Sequence, residues 1–136
     1  MNRFKFDLSF RIRHPQMDAE KICVQLGLEA KHKWTAGSQR KTPKGDLLEG
    51  TYDESYCTFP IDHDEETELA DLIKSSTQSL KLCEHFLQLI SSTGGRLEYF
   101  IGWYSSGNSG EEFDADLIAE LANLGIGLSF DFYGGQ

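Results

Sequence analysis

Hydrophobic and polar residues alternate with a period of two along three stretches of this chain. The first stretch covers residues 4–12, where every second side chain is apolar and most of the others are charged. The same alternation returns over residues 97–103 and again over residues 126–132. Because successive side chains of a strand point to opposite faces, the pattern predicts three strands, each with one buried face.

A helix is predicted after each of the first two of these strands, between matching start and stop residues. Asp18 and Asp114 can cap helix N-termini, because a carboxylate accepts hydrogen bonds from the free backbone N–H groups there. Gly27 and Gly125 suit the left-handed conformation that ends many helices. The order strand, helix, strand is therefore predicted for residues 96–133, and a similar but shorter pattern is found at the start of the chain.

The middle of the chain gives weaker signals. Residues 29–48 show no sustained period and are predicted to form a long ordered loop, a type of segment that is often functional. Residues 51–59 are predicted to form a strand that Pro60 ends. Residues 62–93 are predicted to be helical in two pieces, with a break at Ser-Ser-Thr 75–77, because these residues are poor helix formers.

This order of elements predicts an α+β fold. We expect a four-stranded sheet made from two strand-helix-strand units, with the helices mainly on one face, in a ferredoxin-like or related two-layer sandwich. The length of 136 residues suits a single domain over residues 1–136. No apolar stretch approaches the roughly 20 residues of a membrane helix, and three widely spaced cysteines favour a reduced, cytoplasmic protein.

The net charge of −9 is unevenly distributed along the chain. Residues 1–44 hold ten Lys and Arg against four Asp and Glu, a net charge of +6. Residues 45–136 hold three against eighteen, a net charge of −15. Because acidic surfaces repel nucleic acid and membranes and attract basic proteins, we expect a basic protein partner, and neither nucleic acid nor a membrane.

Sequence motifs of catalysis are missing from the chain. It contains neither the Gly-x-Ser-x-Gly nucleophile motif nor a phosphate-binding loop. The four histidines are scattered, and none pairs with another at the spacing of metal ligands. We therefore expect no enzymatic activity, no cofactor and no metal site.

Two groups of residues are candidate binding sites in the middle of the chain. The predicted loop combines basic side chains with an aromatic ring, which could hold a phosphate or stack a base; these residues are Trp34, Arg40, Lys41 and Lys44. Acidic side chains at the predicted start of the next helix would favour its positive end and could face a basic partner; these residues are Asp62, Asp64 and Glu65. For both groups the alternative is a solvated surface without a ligand.

A third candidate lies on the last predicted strand. Asp131 and Tyr133 alternate with Phe130 and Phe132, so they should lie on the sheet face away from the helices. A carboxylate near the centre of a sheet needs hydrogen-bond partners. We expect Asp131 to be satisfied by Arg11, by Arg13 or by donors from residues 31–45.

Several short motifs of this chain resemble those of the bacterial domain-of-unknown-function family 4279. They are Asp-Ala-Glu 18–20 at a helix start, Leu-Gly-Leu-Glu 26–29, and Leu-Gly-Ile 124–126 before the closing strand. The resemblance covers nearly the whole chain and implies that the family's motif positions correspond to Trp34, Gly37, Lys44, Gly45, Asp131 and Tyr133. The family carries no established activity, so the resemblance supports the fold and leaves the function open.

Our leading hypothesis is a non-catalytic binding protein. By analogy with other small single-domain members of such families, its most specific form is an immunity protein that neutralises a basic bacterial toxin domain through an acidic surface. The alternative is a binder of small phosphorylated ligands or nucleotides that uses the basic Trp34–Lys44 loop. A hydrolase of unrecognised type ranks below both.

Overall fold

The computed structural model describes residues 3–134 of the chain. The strands are β1 (Lys5–His14), β2 (His32–Trp34), β3 (Gln39–Lys41), β4 (Leu47–Thr51), β5 (Ser55–Ile61), β6 (Arg96–Ser105) and β7 (Ile126–Gly134). The helices are α1 (Ala19–Leu26), α2 (Leu69–Leu80), α3 (Glu84–Ser92) and α4 (Ala115–Leu124), with a 3-10 turn at Lys81–Cys83 between α2 and α3. The predicted combination of helices and strands in an α+β fold is confirmed.

One sheet of five strands has the order β2-β5-β1-β6-β7, and β3 and β4 form a separate two-stranded hairpin. β1 is antiparallel to β5 and to β6, whereas β7 is parallel to β6. β2 is also antiparallel to β5. β1 and β2 are therefore parallel, with β5 between them, and β5 and β6 are parallel, with β1 between them. These are two interlocked split β-α-β units, to which α4 and β7 add a third crossover at one edge.

The predicted strand count was wrong. We expected four strands, whereas the described part of the chain places five in one sheet, so a ferredoxin-like arrangement is not matched in full. The additional strand β2 has only three residues, too few to show an alternating pattern. The first strand-helix-strand unit also differs from expectation, because β5 lies antiparallel beside β1 instead of parallel to it.

The core lies between one face of the sheet and the helices. The alternation that predicts the strands places in this layer every apolar side chain of β1 from Phe6 to Ile12 and, on β6, the side chains of Leu97, Tyr99, Ile101 and Trp103. Each helix adds a fully buried side chain, among them Ile22, Ile73, Leu87 and Leu117. We call the opposite side of the sheet, which carries the alternate residues of β1 such as Arg11 and Arg13, the open face.

The predicted caps of α1 and α4 are confirmed. The Asp18 side chain accepts a hydrogen bond from the backbone N–H of Glu20, and Asp114 accepts one from that of Leu117. Gly27 and Gly125 have φ angles of 66° and 75°, the left-handed conformation that glycine adopts without steric cost. These local signals mark the ends of both helices. Thr35 also holds the start of α1, because its hydroxyl accepts from the Ala19 backbone N–H at 2.9 Å and donates to Asp18 at 3.0 Å.

The predicted loop over residues 29–48 was wrong, because this segment contains β2 and most of the β3–β4 hairpin. β2 is held at the sheet edge by pairing with residues 56–58, and all side chains of β3 and β4 are exposed. Pro60 does not end β5, which runs on to Ile61. The pairing of β2 with β5 ends at Thr58, so Pro60 lies where one edge of β5 is open and a missing N–H is tolerated.

The predicted helix break at residues 75–77 was also wrong. α2 runs unbroken to Leu80, and the break lies at the following 3-10 turn. The hydroxyl groups of Thr77 and Tyr99 are 2.9 Å apart, and Tyr99 donates a hydrogen bond of 3.0 Å to Ser76. These contacts with β6 offset the weak helix propensity of the segment.

Candidate functional site

The open face carries the residues that the alternation predicts there. The register places Arg11 between Thr58 and Glu98, and it places Tyr104 between Lys5 and Tyr133. Asp131 lies on this face as well, beside Gly102. Helices cover only the other side of the sheet, so these side chains are in reach of a partner or ligand.

One end of the open face carries a row of stacked aromatic rings, which we call the aromatic row: Tyr52, Trp34 and Tyr56. The ring of Trp34 lies 4.6 Å from that of Tyr52 and 4.8 Å from that of Tyr56, between ring centroids. The guanidinium of Arg13 lies 4.8 Å from the Tyr56 centroid and donates to Glu54 at 3.5 Å. Trp34 is therefore already stacked, and a base would have to bind at the edge of the row.

The basic residues of the predicted loop lie on the β3–β4 hairpin. Tyr52 joins the aromatic row to the hairpin, because its hydroxyl accepts from the backbone N–H of Lys41 at 3.2 Å. Arg40 donates to the Glu49 carbonyl at 3.4 Å, within the hairpin. Lys44 lies in the turn that joins the two strands. The hairpin therefore keeps the Trp34 ring near the Lys41 backbone.

The other end of the open face carries a tyrosine pair with two carboxylates. The rings of Tyr104 and Tyr133 stack with centroids 4.9 Å apart. The Tyr104 hydroxyl donates to Asp7 Oδ2 at 2.9 Å, and the Tyr133 hydroxyl donates to Asp131 Oδ2. These hydrogen bonds to carboxylates raise the pKa of Tyr104 and of Tyr133, so both phenols remain protonated donors.

The expected basic partner of Asp131 was wrong, because the partner is the Tyr133 hydroxyl. Arg11 instead lies near Glu98 and Arg13 near Glu54, one or more strands away from β7. The expectation treated the last strand as central, whereas β7 is at the edge of the sheet in the described residues. An edge carboxylate has water available and does not need a charged partner.

The acidic residues 62–65 precede α2 and do not form its first turn, contrary to the prediction. Asp64 accepts from the backbone N–H groups of Glu66 and Thr67, both at 2.9 Å, and so stabilises a turn. The Thr67 hydroxyl, which donates to Asp64 at 2.8 Å, and these two N–H groups hold the pKa of Asp64 below its usual value. Glu65 and Asp62 lie apart, since they line two different concave regions of the surface.

The two concave regions include residues that the sequence did not single out. A groove of about 880 Å³ at the end of the sheet brings Glu65 together with Tyr104 and Tyr133. A cleft of about 540 Å³ on the open face, which we call the open-face cleft, is lined by Asp7, Ser9, Arg11, Lys31, His32, Tyr56, Thr58, Asp62 and His63. Only the register between β1, β5 and β2 brings these residues together, and no local motif marks them.

β7 has no neighbouring strand on its outer side within residues 3–134, and we call this side the β7 edge. Phe132 is 65% exposed and Phe130 is 37% exposed. The Phe132 ring centroid lies 5.5 Å from that of Trp103. An edge with free backbone groups and exposed aromatic side chains is a typical site for protein association.

Two of the three cysteines are poorly placed to act as nucleophiles. Cys23 and Cys57 are buried, and burial together with the neighbouring Cys23 raises the pKa of Cys57 to about 12. A thiol with such a pKa is protonated at neutral pH and is a weak nucleophile. Over residues 3–134, no group of three His, Cys, Asp or Glu side chains is placed to hold a metal ion.

None of the helices in the described part of the chain has the length and apolar character needed to cross a membrane. The sequence model of one family matches residues 3–135, and its description is "Domain of unknown function (DUF4279)". This match confirms the resemblance deduced from the short motifs. No curated protein and no solved structure matches the chain.

Proposed function

Because the chain belongs to the DUF4279 family, whose activity is unknown, we propose a function from its own surfaces: it is a non-catalytic protein that binds a basic protein partner at the β7 edge. In its most specific form the proposal is an immunity protein that neutralises a basic bacterial toxin domain. The observation that carries it is the aromatic β7 edge, which has no strand beside it within residues 3–134 and lies next to the carboxylates of Asp7 and Asp131.

Composition and geometry support a basic partner over an acidic one. Residues 96–136 carry one Lys or Arg and seven Asp or Glu, a net charge of −6 around β6, α4 and β7. A basic partner would be attracted to this side over several ångströms and would reach the β7 edge faster. The exposed rings of Phe132 and Tyr133 would then supply the apolar contact that acidic residues alone do not provide.

The test is a binding measurement between the purified chain and the purified product of the adjacent reading frame. We expect Phe132→Ala to weaken binding at least tenfold, because it removes an exposed aromatic contact at the edge. Leu82→Ala is the matched control. Leu82 is 89% exposed on the 3-10 turn, away from the β7 edge, so its replacement should leave the affinity unchanged. No association at low salt, or equal binding by both variants, would refute the proposed site.

A second candidate is the binding of a small phosphorylated ligand or nucleotide by Trp34, Arg40, Lys41 and Lys44. It is supported by the contact of Tyr52 with both Trp34 and the Lys41 backbone, which keeps an aromatic ring beside the basic hairpin. Titration with nucleotides, followed by Trp34 fluorescence in a Trp103→Phe background, tests it. An unchanged emission over the whole titration would eliminate this candidate.

A further inference from the structure

We propose that the open-face cleft binds one small oxyanion group, a carboxylate or a phosphoryl group, and that Arg11 holds it. The cleft is centred on Arg11; it shares Asp7 with the surface beside the β7 edge and Tyr56 with the aromatic row. The inference does not depend on either function proposed above, because neither of them uses Arg11.

Arg11 has one anionic neighbour among the described residues, and that neighbour accepts no hydrogen bond from it. Its guanidinium carbon lies 3.6 Å from the centroid of the Phe100 ring, which fixes its position. Its nearest carboxylate oxygen belongs to Glu98 and lies 3.9 Å from Nη1, which is beyond hydrogen-bond distance. Nε is buried and has no hydrogen-bond partner among the described residues.

An arginine in this state is suited to bind an oxyanion. The guanidinium has five N–H donors in one plane, and two of them can bind the two oxygens of a carboxylate or phosphoryl group together. Stacking on Phe100 has already restricted the rotamers of the Arg11 side chain, so less conformational entropy is lost on binding. Arg13 differs, because it donates to Glu54.

Further donors line the same cleft. Lys31 and His32 enter it from the β2 side, and Tyr56 and Thr58 enter it from β5. Thr58 lies directly between His32 and Arg11 in the sheet register. An oxyanion bound to the free side of Arg11 would therefore have hydroxyl and cationic neighbours.

The charge at the other end of the cleft limits the size of the ligand. Asp7 and Asp62 line that end, and Asp7 lies four residues from Arg11 on β1, about 13 Å along the strand. A long polyanion would extend from Arg11 towards these carboxylates and be repelled. The cleft therefore suits a single small anionic group more than a polyphosphate or a nucleic acid.

NMR titration of the arginine Nε–H signals tests the inference directly in the wild-type chain. Inorganic phosphate, acetate and tripolyphosphate are added separately, with sodium chloride as the ionic-strength control. We expect the Arg11 Nε–H signal to shift and saturate with phosphate or acetate at millimolar concentrations. The anion that binds more tightly shows whether the cleft prefers a phosphoryl group or a carboxylate. Tripolyphosphate should bind no more tightly than the better of these two anions.

Two variants complete the test. Arg11→Lys keeps the charge and loses the planar pair of donors, so we expect affinity to fall at least tenfold. Arg13→Lys, two residues away on the same face, is the matched control and should bind as wild type does. The inference is wrong if the Arg11 signal stays unshifted, if it moves equally with chloride, or if Arg11→Lys binds like wild type.

Discussion

His14 is a buried side chain whose hydrogen bonds specify the neutral imidazole. Its Nδ1 accepts from the backbone N–H groups of Gln16 and Met17, at 3.1 and 2.9 Å, so it carries no proton. Nε2 must then be protonated and donates to the Thr93 hydroxyl at 2.7 Å. Burial lowers the pKa of His14, because the charged form would lose its hydration.

This hydrogen-bonding arrangement makes stability depend on pH. The folded-state pKa lies below the unfolded value of about 6.5, so the stabilisation is complete above that pH and is lost as the pH falls towards the folded value. In His14→Asn, the Oδ1 atom can replace Nδ1 as an acceptor but does not titrate. We expect this variant to lose less free energy of unfolding than the wild type between neutral and mildly acidic pH. Urea unfolding at the two pH values measures it, with the exposed His85→Asn as control. An unchanged pH dependence in His14→Asn would contradict this account.

The Tyr99 hydroxyl on β6 contacts Thr77 and Ser76 on α2, so its removal tests how much this contact stabilises the fold. We expect Tyr99→Phe to lower the free energy of unfolding by about 1–3 kcal/mol, because it leaves the buried Thr77 hydroxyl without its side-chain partner. Tyr104→Phe removes an exposed hydroxyl and should change stability by less than about 0.5 kcal/mol. If urea denaturation gives equal losses for the two variants, the Thr77 contact does not stabilise α2.

At the scale of elements, the junction between α3 and β6 depends on one close approach. A Cβ atom at Gly95 would lie 2.5 Å from Ile90 Cγ2, 2.7 Å from the Ile90 carbonyl oxygen and 3.0 Å from the Arg13 carbonyl oxygen. Two of these three atoms belong to the backbone and cannot move without displacing the helix or β1. Gly95 therefore allows α3 to lie against the sheet.

We expect Gly95→Ala to reduce the free energy of unfolding by about 1–3 kcal/mol, because overpacking forces the backbone to shift. Gly127→Ala on β7 is the matched control, since its Cβ would meet nothing closer than the Leu97 carbonyl oxygen at 3.9 Å. Thermal or urea unfolding of both variants measures the difference. A Gly95→Ala chain as stable as Gly127→Ala would show that α3 can move at no cost.

For the whole molecule, the hairpin and the sheet should differ in local stability. Every side chain of β3 and β4 is exposed, whereas β1 buries Phe6, Leu8, Phe10 and Ile12. Opening the hairpin therefore exposes little apolar surface, while opening β1 exposes the core. We expect backbone amides of residues 39–51 to exchange with deuterium far faster than those of β1. Equal protection of the two regions would mean that the hairpin is part of the core unit.

Long-range register accounts for most of what could not be predicted. The strands β1, β6 and β7 and the caps Asp18 and Asp114 follow from signals within about ten residues, and the structure contains all of them. β2 was missed because its pairing with β5 lies outside its own sequence. The partner of Asp131 was missed because only the strand order places β7 at the edge.

The sequence by itself determined the buried faces of β1 and β6 and the ends of α1 and α4, because alternation and capping depend on neighbours along the chain. The same alternation predicts a buried face for β7, but only Ile126 of that strand is buried. Only the tertiary structure decided which strands are adjacent, and hence that Arg11 shares a cleft with Lys31 and His32. It also decided that α2 continues through Ser76 and Thr77, where hydroxyl groups bond to Tyr99 on β6. In each case the stabilising contacts are made by residues that are distant in the chain, so a local sequence pattern cannot predict them.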